Sequence, residues 1–469
     1  MPTTRTTRML IASLLLVLFA AACSTGDGDD AQVDGGTTTA APVDDTDATT
    51  TAAPGNDADD TTTTVAEDVP RTASYTGVTE DTILLGIAHW DTSVFNFGFL
   101  GDPTEVADAL TGAINDRGGV NGRSLEAVVS SFSPADPAAM LASCIELTED
   151  NEVFAVLGGL RGDAAACVSE SNATINLGSQ VNGQGELLER ANAPIAGFLS
   201  VGTSVEEAFI SELDAAGWFD GATRVGVHYD GEATADRASA VVETALADLG
   251  LDVAITLNID DLGLTEDELE NRGEIMRERV RDAEIDRMLI IGAAATGYVT
   301  YAELDLPLAA PDSNNLTTAI TSGIDPLDLD GTVAATTGLT LGSDAIDAAT
   351  QQCLDDAQAV LPDARFERPG AGVVNTAEDP NYWSYTVLLC RDIDLFVQAA
   401  TAAGVELTND SFQVGLDSLT DTSLPQFPFV SFGPGKYNGN DTLRLVEFDG
   451  DADEDGEIVS IGDPIDLTP

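Results

Sequence analysis

Histidine is the side chain best suited to proton transfer near neutral pH, and it occurs only twice in the 469 residues. Both copies stand in short runs that also hold an aromatic and an acidic residue, HWD at 89–91 and HYD at 228–230. Aromatic rings can stack on a small ligand, while imidazoles and carboxylates fix its polar groups. Each run follows an apolar, strand-like stretch, so ordinary turn formation by Asp is the alternative. The candidate ligand contacts are His89, Trp90, Asp91, His228, Tyr229 and Asp230.

Sequence motifs of the common enzyme classes are missing. There is no G-x-S-x-G nucleophile elbow, no Walker A loop and no G-x-G-x-x-G, and the one lysine, Lys436, lies in GPGKY. Two histidines exclude most histidine-based metal sites and leave few general bases. A hydrolase using scattered carboxylates is the remaining enzyme hypothesis. We therefore expect a binding protein that is not an enzyme and that needs no cofactor or metal.

One acidic segment resembles the start of a calcium loop. Residues 451–456 read DADEDG, which places Asp451, Asp453 and Asp455 at the first three ligand positions. The twelfth position is Gly462, where an EF-hand has Glu. A solvated acidic hairpin loop is the favoured interpretation, and a weak calcium site is the alternative.

The charge balance excludes some partners. With 81 acidic and 19 basic residues, the formal net charge is −62. Nucleic-acid binders carry a basic surface, so this chain is not expected to be one. The same charge gives little support for binding to anionic lipid headgroups, although it favours solubility.

The N-terminal segment carries the features of an export signal. Arg5 and Arg8 precede an apolar run at 9–22 that is shorter than a membrane-spanning helix. Small residues directly before Cys23 resemble a bacterial lipobox, in which the cysteine is acylated after cleavage. We therefore predict a signal peptide at 1–22 and a lipid anchor with a disordered tether at 23–75, placing the protein on the extracytoplasmic face of a bacterial membrane. Plain secretion, with cleavage near Ala22, is the alternative.

The rest of the chain alternates between two kinds of segment. Apolar runs of strand length occur at 82–90, 125–132, 154–159, 224–229 and 287–293. Amphipathic segments with helical spacing, such as 104–117 and 234–249, separate them. This alternation predicts an α/β protein with mostly parallel sheets covered by helices. Two such series predict two lobes.

Three stretches resemble one known family. They are 77–86 (GVTEDTILLG), 114–123 (INDRGGVNGR) and 153–159 (VFAVLGG). They are similar to the first strand, a helix-to-strand turn and the third strand of type I periplasmic solute-binding proteins, in the branch that binds branched-chain amino acids for ABC importers. The turn, with its paired glycines and Gly-Arg, is the most specific of the three.

The resemblance implies a fold and a binding site. It implies two lobes with a ligand cleft between them, lobe I from 76–200 plus 333–410 and lobe II from 201–332 plus 411–465. The family's ligand loop follows the first strand, which adds Phe95 and Asn96 as candidates, and Arg161 after the third strand could reach an anionic ligand or make a surface salt bridge. The family's amino acid binders have a Ser/Ala/Thr cluster after the third strand, whereas this chain has RGDA at 161–164.

Four cysteines remain after Cys23, which allows three pairings in an oxidising compartment. Local pairing, Cys144 with Cys167 and Cys353 with Cys390, is the simplest choice. The first pair also matches a disulfide in similar positions of the resembled family. No close C-x-x-C is present to suggest a metal or redox site.

The leading functional hypothesis is capture of a small solute, an amino acid or related metabolite, for an ABC importer. The alternative is a ligand-binding sensor or scaffold with the same fold and no permease partner. We expect the folded body to be a monomer, and Trp90 and Tyr229 to contact the ligand from opposite lobes.

Overall fold

The computed structural model describes most of the chain from residue 70 onward. The described residues are 70–91, 101–134, 136–178, 185–198, 203–259, 266–292, 296–313, 324–336, 346–368, 378–452 and 456–468, together with 316, 319, 338 and 376. Two lobes are built from them, each around one sheet.

The first lobe contains a five-stranded sheet whose pairings are all parallel. Its strands are β1 Thr82–Trp90, β2 Ser124–Phe132, β3 Ala155–Gly158, β4 Ile175–Leu177 and β5 Ile195–Ala196. They lie in the order β2-β1-β3-β4-β5, so the strand order reverses between β1 and β3. The helices between them are α1 Pro103–Asp116, α2 Pro137–Ile145, α3 Asp163–Ala166 and α4 Gly185–Arg190.

The second lobe contains a seven-stranded sheet in the order β14-β13-β10-β9-β8-β6-β7. Five strands pair in parallel: β6 Arg224–Asp230, β7 Asp252–Ile259, β8 Arg287–Ile291, β9 Leu308–Ala310 and β10 Val333–Thr336. Their helices are α5 Thr203–Ala215, α6 Glu232–Asp248, α7 Glu266–Ala283 and α8 Thr296–Tyr301.

After β10 the chain returns to the first lobe and then crosses again. The returning segment holds α9 Ala348–Val360, α10 Trp383–Ala403, α11 Asn409–Asp417 and the hairpin of β11 Thr422–Leu424 with β12 Phe427–Val430. The last two strands are β13 Thr442–Asp449, which pairs antiparallel with β10 in the second lobe, and β14 Glu457–Asp466, which pairs antiparallel with β13.

Two lobe boundaries differ from those expected from the sequence. Strand β10, which we expected in lobe I, is hydrogen-bonded between β9 and β13 in the second sheet. Conversely, the segment 411–432, which we expected in lobe II, contributes Phe412, Leu424 and Phe432 to the core that lies under the first sheet. Both shifts have the same cause: burial against a partner distant in sequence decides where a short apolar segment packs.

The glycine-rich turn at 118–123 is held by a buried arginine. Arg123 is 1% exposed, and its guanidinium donates to three carbonyl oxygens, those of Thr79 (2.7 Å), Val405 (2.8 Å) and Thr72 (2.9 Å). A Cβ on Gly119 would collide with the Arg123 carbonyl oxygen, so the tight turn requires glycine there. This motif therefore ties three separate segments to the start of β2.

Both predicted disulfides are confirmed. Cys144 on α2 is bonded to Cys167, which follows α3, and Cys353 on α9 is bonded to Cys390 on α10. The two Cα atoms are 6.3 Å apart in each pair. Each bridge joins two neighbouring helices of the first lobe.

The longest described helix is α10, with 21 residues. It contains three charged residues, Arg391, Asp392 and Asp394, within its apolar sequence. None of the helices in the described ranges combines the length and the apolar character needed to cross a bilayer.

Candidate functional site

The strand-order reversal in the first lobe lies between the carboxyl ends of β1 and β3. Trp90 ends β1, and its indole Nε1 donates to the carbonyl oxygen of Gly159 (2.8 Å), just after β3. A Cβ on Gly159 would collide with the indole, so glycine is required beside it. The Arg161 guanidinium carbon lies 4.6 Å from the Trp90 ring centroid, a cation–π contact. Trp90 and Arg161 thus come together where open α/β sheets bind ligands.

The neighbours of Trp90 take different positions. His89 is 9% exposed and packs edge-on against the ring of Tyr385 on α10, with centroids 4.6 Å apart. Burial lowers the pKa of His89, against the opposing effect of Asp91 and Asp102, so the ring is neutral at pH 7. The Asp91 amide donates to the Phe132 carbonyl oxygen (2.9 Å), which continues the β1–β2 pairing by one residue.

Two predicted contacts, Phe95 and Asn96, fall outside the described residues. Their roles remain predictions.

In the second lobe, His228 and Asp230 come together at the carboxyl end of β6. Imidazole Nε2 lies 3.1 Å from Asp230 Oδ1, and Nδ1 lies 2.9 Å from the Tyr301 hydroxyl on α8. Asp230 also lies against Gly292, which follows β8. Strand order reverses between β6 and β8, so this pair occupies the corresponding position in the second sheet.

Tyr229 points the other way. Side chains alternate between the two faces of a strand, so consecutive residues of the HYD run cannot all face one ligand. The Tyr229 side chain is fully buried in the core formed with Phe209, Val242 and Leu289. Burial raises the pKa of its hydroxyl, with smaller contributions from Glu243 and Glu206. Contact between Tyr229 and a ligand would need that core to open.

Helix α10 supplies polar groups that were not among the residues predicted from the sequence. Tyr385, Arg391 and Asp392 are all largely buried, and the Tyr385 hydroxyl has no hydrogen-bond partner within the described part of the chain. The available sequence signal was a charged Arg-Asp pair inside the otherwise apolar run WSYTVLLCRDIDLF. A structural helix was the simpler interpretation of that run.

The structure bears only in part on metal binding. Within the described ranges, no three His, Cys, Asp or Glu side chains are grouped closely enough to hold a metal ion. Asp451 is exposed at the start of the acidic loop, whereas Asp453 and Asp455 lie outside those ranges. The possible calcium loop therefore stays a prediction.

The fold is similar to solved structures of ABC transporter substrate-binding proteins. One from Desulfitobacterium hafniense, in complex with Leu, has a TM-score of 0.54 and 16% identity, covering 81% of this chain and 100% of that one. A fatty acid ABC transporter substrate-binding protein from Thermomonospora curvata has a TM-score of 0.52 and 18% identity, covering 84% and 95%. One from Rhodopseudomonas palustris, in complex with 3,4-dihydroxy benzoic acid, has a TM-score of 0.53 and 13% identity, covering 83% and 98%.

The predicted fold class is therefore confirmed. The chain has the type I periplasmic binding protein fold, with two lobes of mostly parallel sheet flanked by helices and a cleft between them. Neither a family model nor a curated protein matches the sequence.

Proposed function

We propose that this protein captures a small solute outside the cytoplasm, in the cleft between its two lobes. The observation that carries the proposal is that a polar or aromatic pair occupies the strand-order reversal of each sheet. Trp90 with Arg161 does so in the first lobe, and His228 with Asp230 in the second. Ligands of open α/β sheets bind at such points, so two lobes can close on one solute from opposite sides.

The proposed solute is an amino acid or a related small metabolite. Leu and 3,4-dihydroxy benzoic acid, bound in two of the similar structures, are both small carboxylic acids. Arg161 supplies a positive charge beside Trp90, and Asp91, Phe95 and Asn96 complete the proposed contacts of the first lobe. Tyr229 is left out of the contact set because its side chain belongs to the second core. The His228 side chain is also 0% exposed, so it acts through Asp230, whose side chain is 9% exposed, and not by touching the solute.

Binding without catalysis and delivery to an ABC permease complete the proposal. Each of the similar structures described above is a substrate-binding protein of an ABC transporter, which supports both parts. Cys23 would carry the lipid anchor, so that the folded body stays at the membrane surface as a monomer. The tether would end earlier than the expected residue 75, because the Thr72 carbonyl oxygen accepts from Arg123 and the Ser74 hydroxyl donates to the Leu407 carbonyl oxygen.

Tryptophan fluorescence tests the binding site. The chain has three tryptophans, and Trp218 contacts Arg287 at the opposite, amino end of the β6 and β8 strands. A Trp218→Phe/Trp383→Phe variant leaves Trp90 as the reporter, and the matched control is Trp90→Phe. The probes are the standard amino acids, short carboxylic acids and benzoic acids. We expect one class to change the emission of the Trp90 reporter and to leave the control unchanged.

The same titrations give the result that would overturn the proposal. If calorimetry of the purified full-length protein detects no binding to any of these probes, solute capture is wrong. If a probe binds and Trp90→Phe binds it with unchanged affinity, the site lies elsewhere.

A transport measurement separates import from sensing. Deletion of the gene should reduce uptake of the radiolabelled bound solute, and a copy on a plasmid should restore it. Unchanged uptake, together with binding in the purified protein, would favour a sensor or scaffold without a permease partner.

A further inference from the structure

The first half of α10 lies at the edge of the first sheet where the strands end. The opposite end of the helix is fixed at the strand starts: the Asn121 side-chain amide, just before β2, donates to the carbonyl oxygens of Ala400 and Gly404 (both 2.9 Å). Tyr385, near the beginning of the helix, packs against His89 at the end of β1. Polar side chains in this half of α10 are therefore at the cleft edge of the lobe.

Arg391 and Asp392 form an ion pair of defined geometry in this half of the helix. Guanidinium Nε and Nη2 both donate to carboxylate Oδ1, at 3.0 and 2.9 Å. The guanidinium carbon also lies 5.0 Å from the ring centroid of Phe198, after β5, and 5.5 Å from that of Phe427 in β12. Two aromatic contacts and two hydrogen bonds fix the plane of the guanidinium.

The pair is costly for a purely structural element. The Asp392 side chain is 7% exposed and that of Arg391 is 15% exposed. Burial raises the pKa of the Asp392 carboxyl, and Arg391 only partly opposes this effect. Replacing a buried ion pair by apolar side chains is often neutral or stabilising, so folding alone does not call for charges at this place.

Two polar atoms of the pair have no hydrogen-bond partner among the described residues. Both hydrogen bonds to Asp392 end on Oδ1, so within the described part of the chain Oδ2 accepts none. Oδ2 lies 2.7 Å from where a Cβ on Gly178 would be, just after β4, and Gly158 at the end of β3 is adjacent. Arg391 Nη1 likewise makes no hydrogen bond to a described residue.

We propose that Arg391 and Asp392 are the polar anchor for the captured solute, and that the solute presents a hydrogen-bond donor next to an anionic group. Arg391 Nη1 donates to the anionic group, and Asp392 Oδ2 accepts from the adjacent ammonium or hydroxyl. The Tyr385 hydroxyl, buried on the same helix, is a second polar group for the same ligand. The inference rests on the proposed function, and it names which solutes fit this cleft.

A series of matched probes tests the specificity without any variant. The standard amino acids and their 2-hydroxy acid analogues carry both groups, the corresponding desamino acids carry only the carboxylate, and the amides carry only the donor. Calorimetry on the full-length protein should find an amino acid or hydroxy acid that binds. Its desamino and amide analogues should bind at least tenfold more weakly, because each leaves one charged partner unpaired.

Two variants test the residues themselves. Asp392→Asn should weaken the best probe at least tenfold and change the affinity of its desamino analogue less than threefold. Arg391→Lys should weaken the best probe and the desamino analogue alike, since the fixed guanidinium is lost. The matched control is Asp252→Asn, which breaks an exposed ion pair with Arg224 where β6 and β7 of the second sheet begin. It should leave every affinity unchanged.

Several results would overturn the inference. If Asp392→Asn weakens all probes equally, the pair has only a structural role. If only the desamino acids or only the amides bind the wild-type protein, the inference is wrong while solute capture stands. If no probe binds, both fail. Circular dichroism confirms the folding of each variant, and the wild-type series remains decisive if a variant does not fold.

Discussion

Lys436, the only lysine of the chain, lies 2.6 and 2.7 Å from the two carboxylate oxygens of Asp441. Its ammonium also donates to the Ser431 hydroxyl (2.5 Å). These residues belong to the passage from β12 in the first lobe to β13 in the second. The same passage is hydrogen-bonded to the segment that follows β5, where the Gly197 amide donates to the Tyr437 carbonyl oxygen (3.0 Å). The ion pair therefore braces a segment that connects the lobes.

Removing this lysine should destabilise the protein more than removing its partner. Asp441 is only 4% exposed, and Lys436→Met leaves its carboxylate without a cation. This variant should therefore lower the free energy of unfolding by about 2–4 kcal/mol. Asp441→Asn should cost about 1–2 kcal/mol, because Lys436 is 28% exposed and can be hydrated. Urea denaturation measures both.

Arg117→Met is the control for this comparison. Its ion pair with Asp356 lies at the surface, with the Arg117 side chain 56% exposed, so the loss should be below about 1 kcal/mol. Equal losses in Lys436→Met and Arg117→Met would contradict the bracing role.

The stability difference between Asp392→Asn and wild type should depend on pH. Burial raises the pKa of Asp392 above its usual value in the folded state, so the native state binds this proton more tightly than the unfolded chain. The protonated Asp392 carboxyl stabilises the folded wild-type protein fully below its unfolded pKa of about 3.9. This stabilisation is lost as the pH rises through the folded pKa. Relative to wild type, the variant should therefore gain stability as the pH rises from the unfolded pKa through the higher folded pKa.

Urea unfolding of both proteins at several pH values measures this gain. The difference should persist at high salt, because the group is buried and poorly screened. A difference that is flat with pH, or that falls as the pH rises, would contradict it.

Tyr229 should be needed for folding, and its hydroxyl should not. Tyr229→Ala removes a fully buried ring and should cost about 3–5 kcal/mol. Tyr229→Phe should be neutral or stabilising by about 1 kcal/mol, since the hydroxyl has no hydrogen-bond partner within the described residues. Thermal denaturation compares the two. A tenfold loss of solute affinity in well-folded Tyr229→Phe would instead restore the ligand contact expected from the sequence.

The two disulfides should stabilise the first lobe by similar amounts. Their sequence separations of 23 and 37 correspond to about 3.5 and about 4 kcal/mol of loop-closure entropy. Cys144→Ala/Cys167→Ala and Cys353→Ala/Cys390→Ala should each lower the free energy of unfolding accordingly. Chemical denaturation in oxidising buffer measures these losses, and a reductant should shift the wild type but not a variant that lacks all four cysteines.

Cys23→Ser should release the protein from the membrane fraction, because no acyl chain can then be attached at this position. Immunoblots of fractionated cells measure the distribution, and Ser24→Ala is the matched control that should stay bound. Continued membrane association of Cys23→Ser would show that another segment holds the protein at the membrane.

Local patterns in the sequence were sufficient to predict the α/β class. Apolar runs of strand length and amphipathic helices have their own periods, and burial on both faces of a parallel sheet keeps those runs apolar. The glycine-rich turn before β2 could also be recognised from the sequence, because Gly119 and Arg123, which contact each other there, are only a few residues apart in the chain. The disulfides followed from helices that are neighbours in the chain and in the fold.

Only the tertiary structure decided which lobe received strand β10 and the 411–432 segment. Their partners are distant in sequence, and a short apolar strand pairs with whichever strands can hydrogen-bond to both of its edges. The structure likewise turned Tyr229 into the core, because neighbouring residues of a strand face opposite sides. It also brought Asp392 of α10 to the ends of β3 and β4, some 200 residues earlier in the chain, and Arg391 to Phe198 after β5. Helical periodicity places such a pair on a helix, but the packing of that helix against a distant sheet edge decides which strand ends it meets.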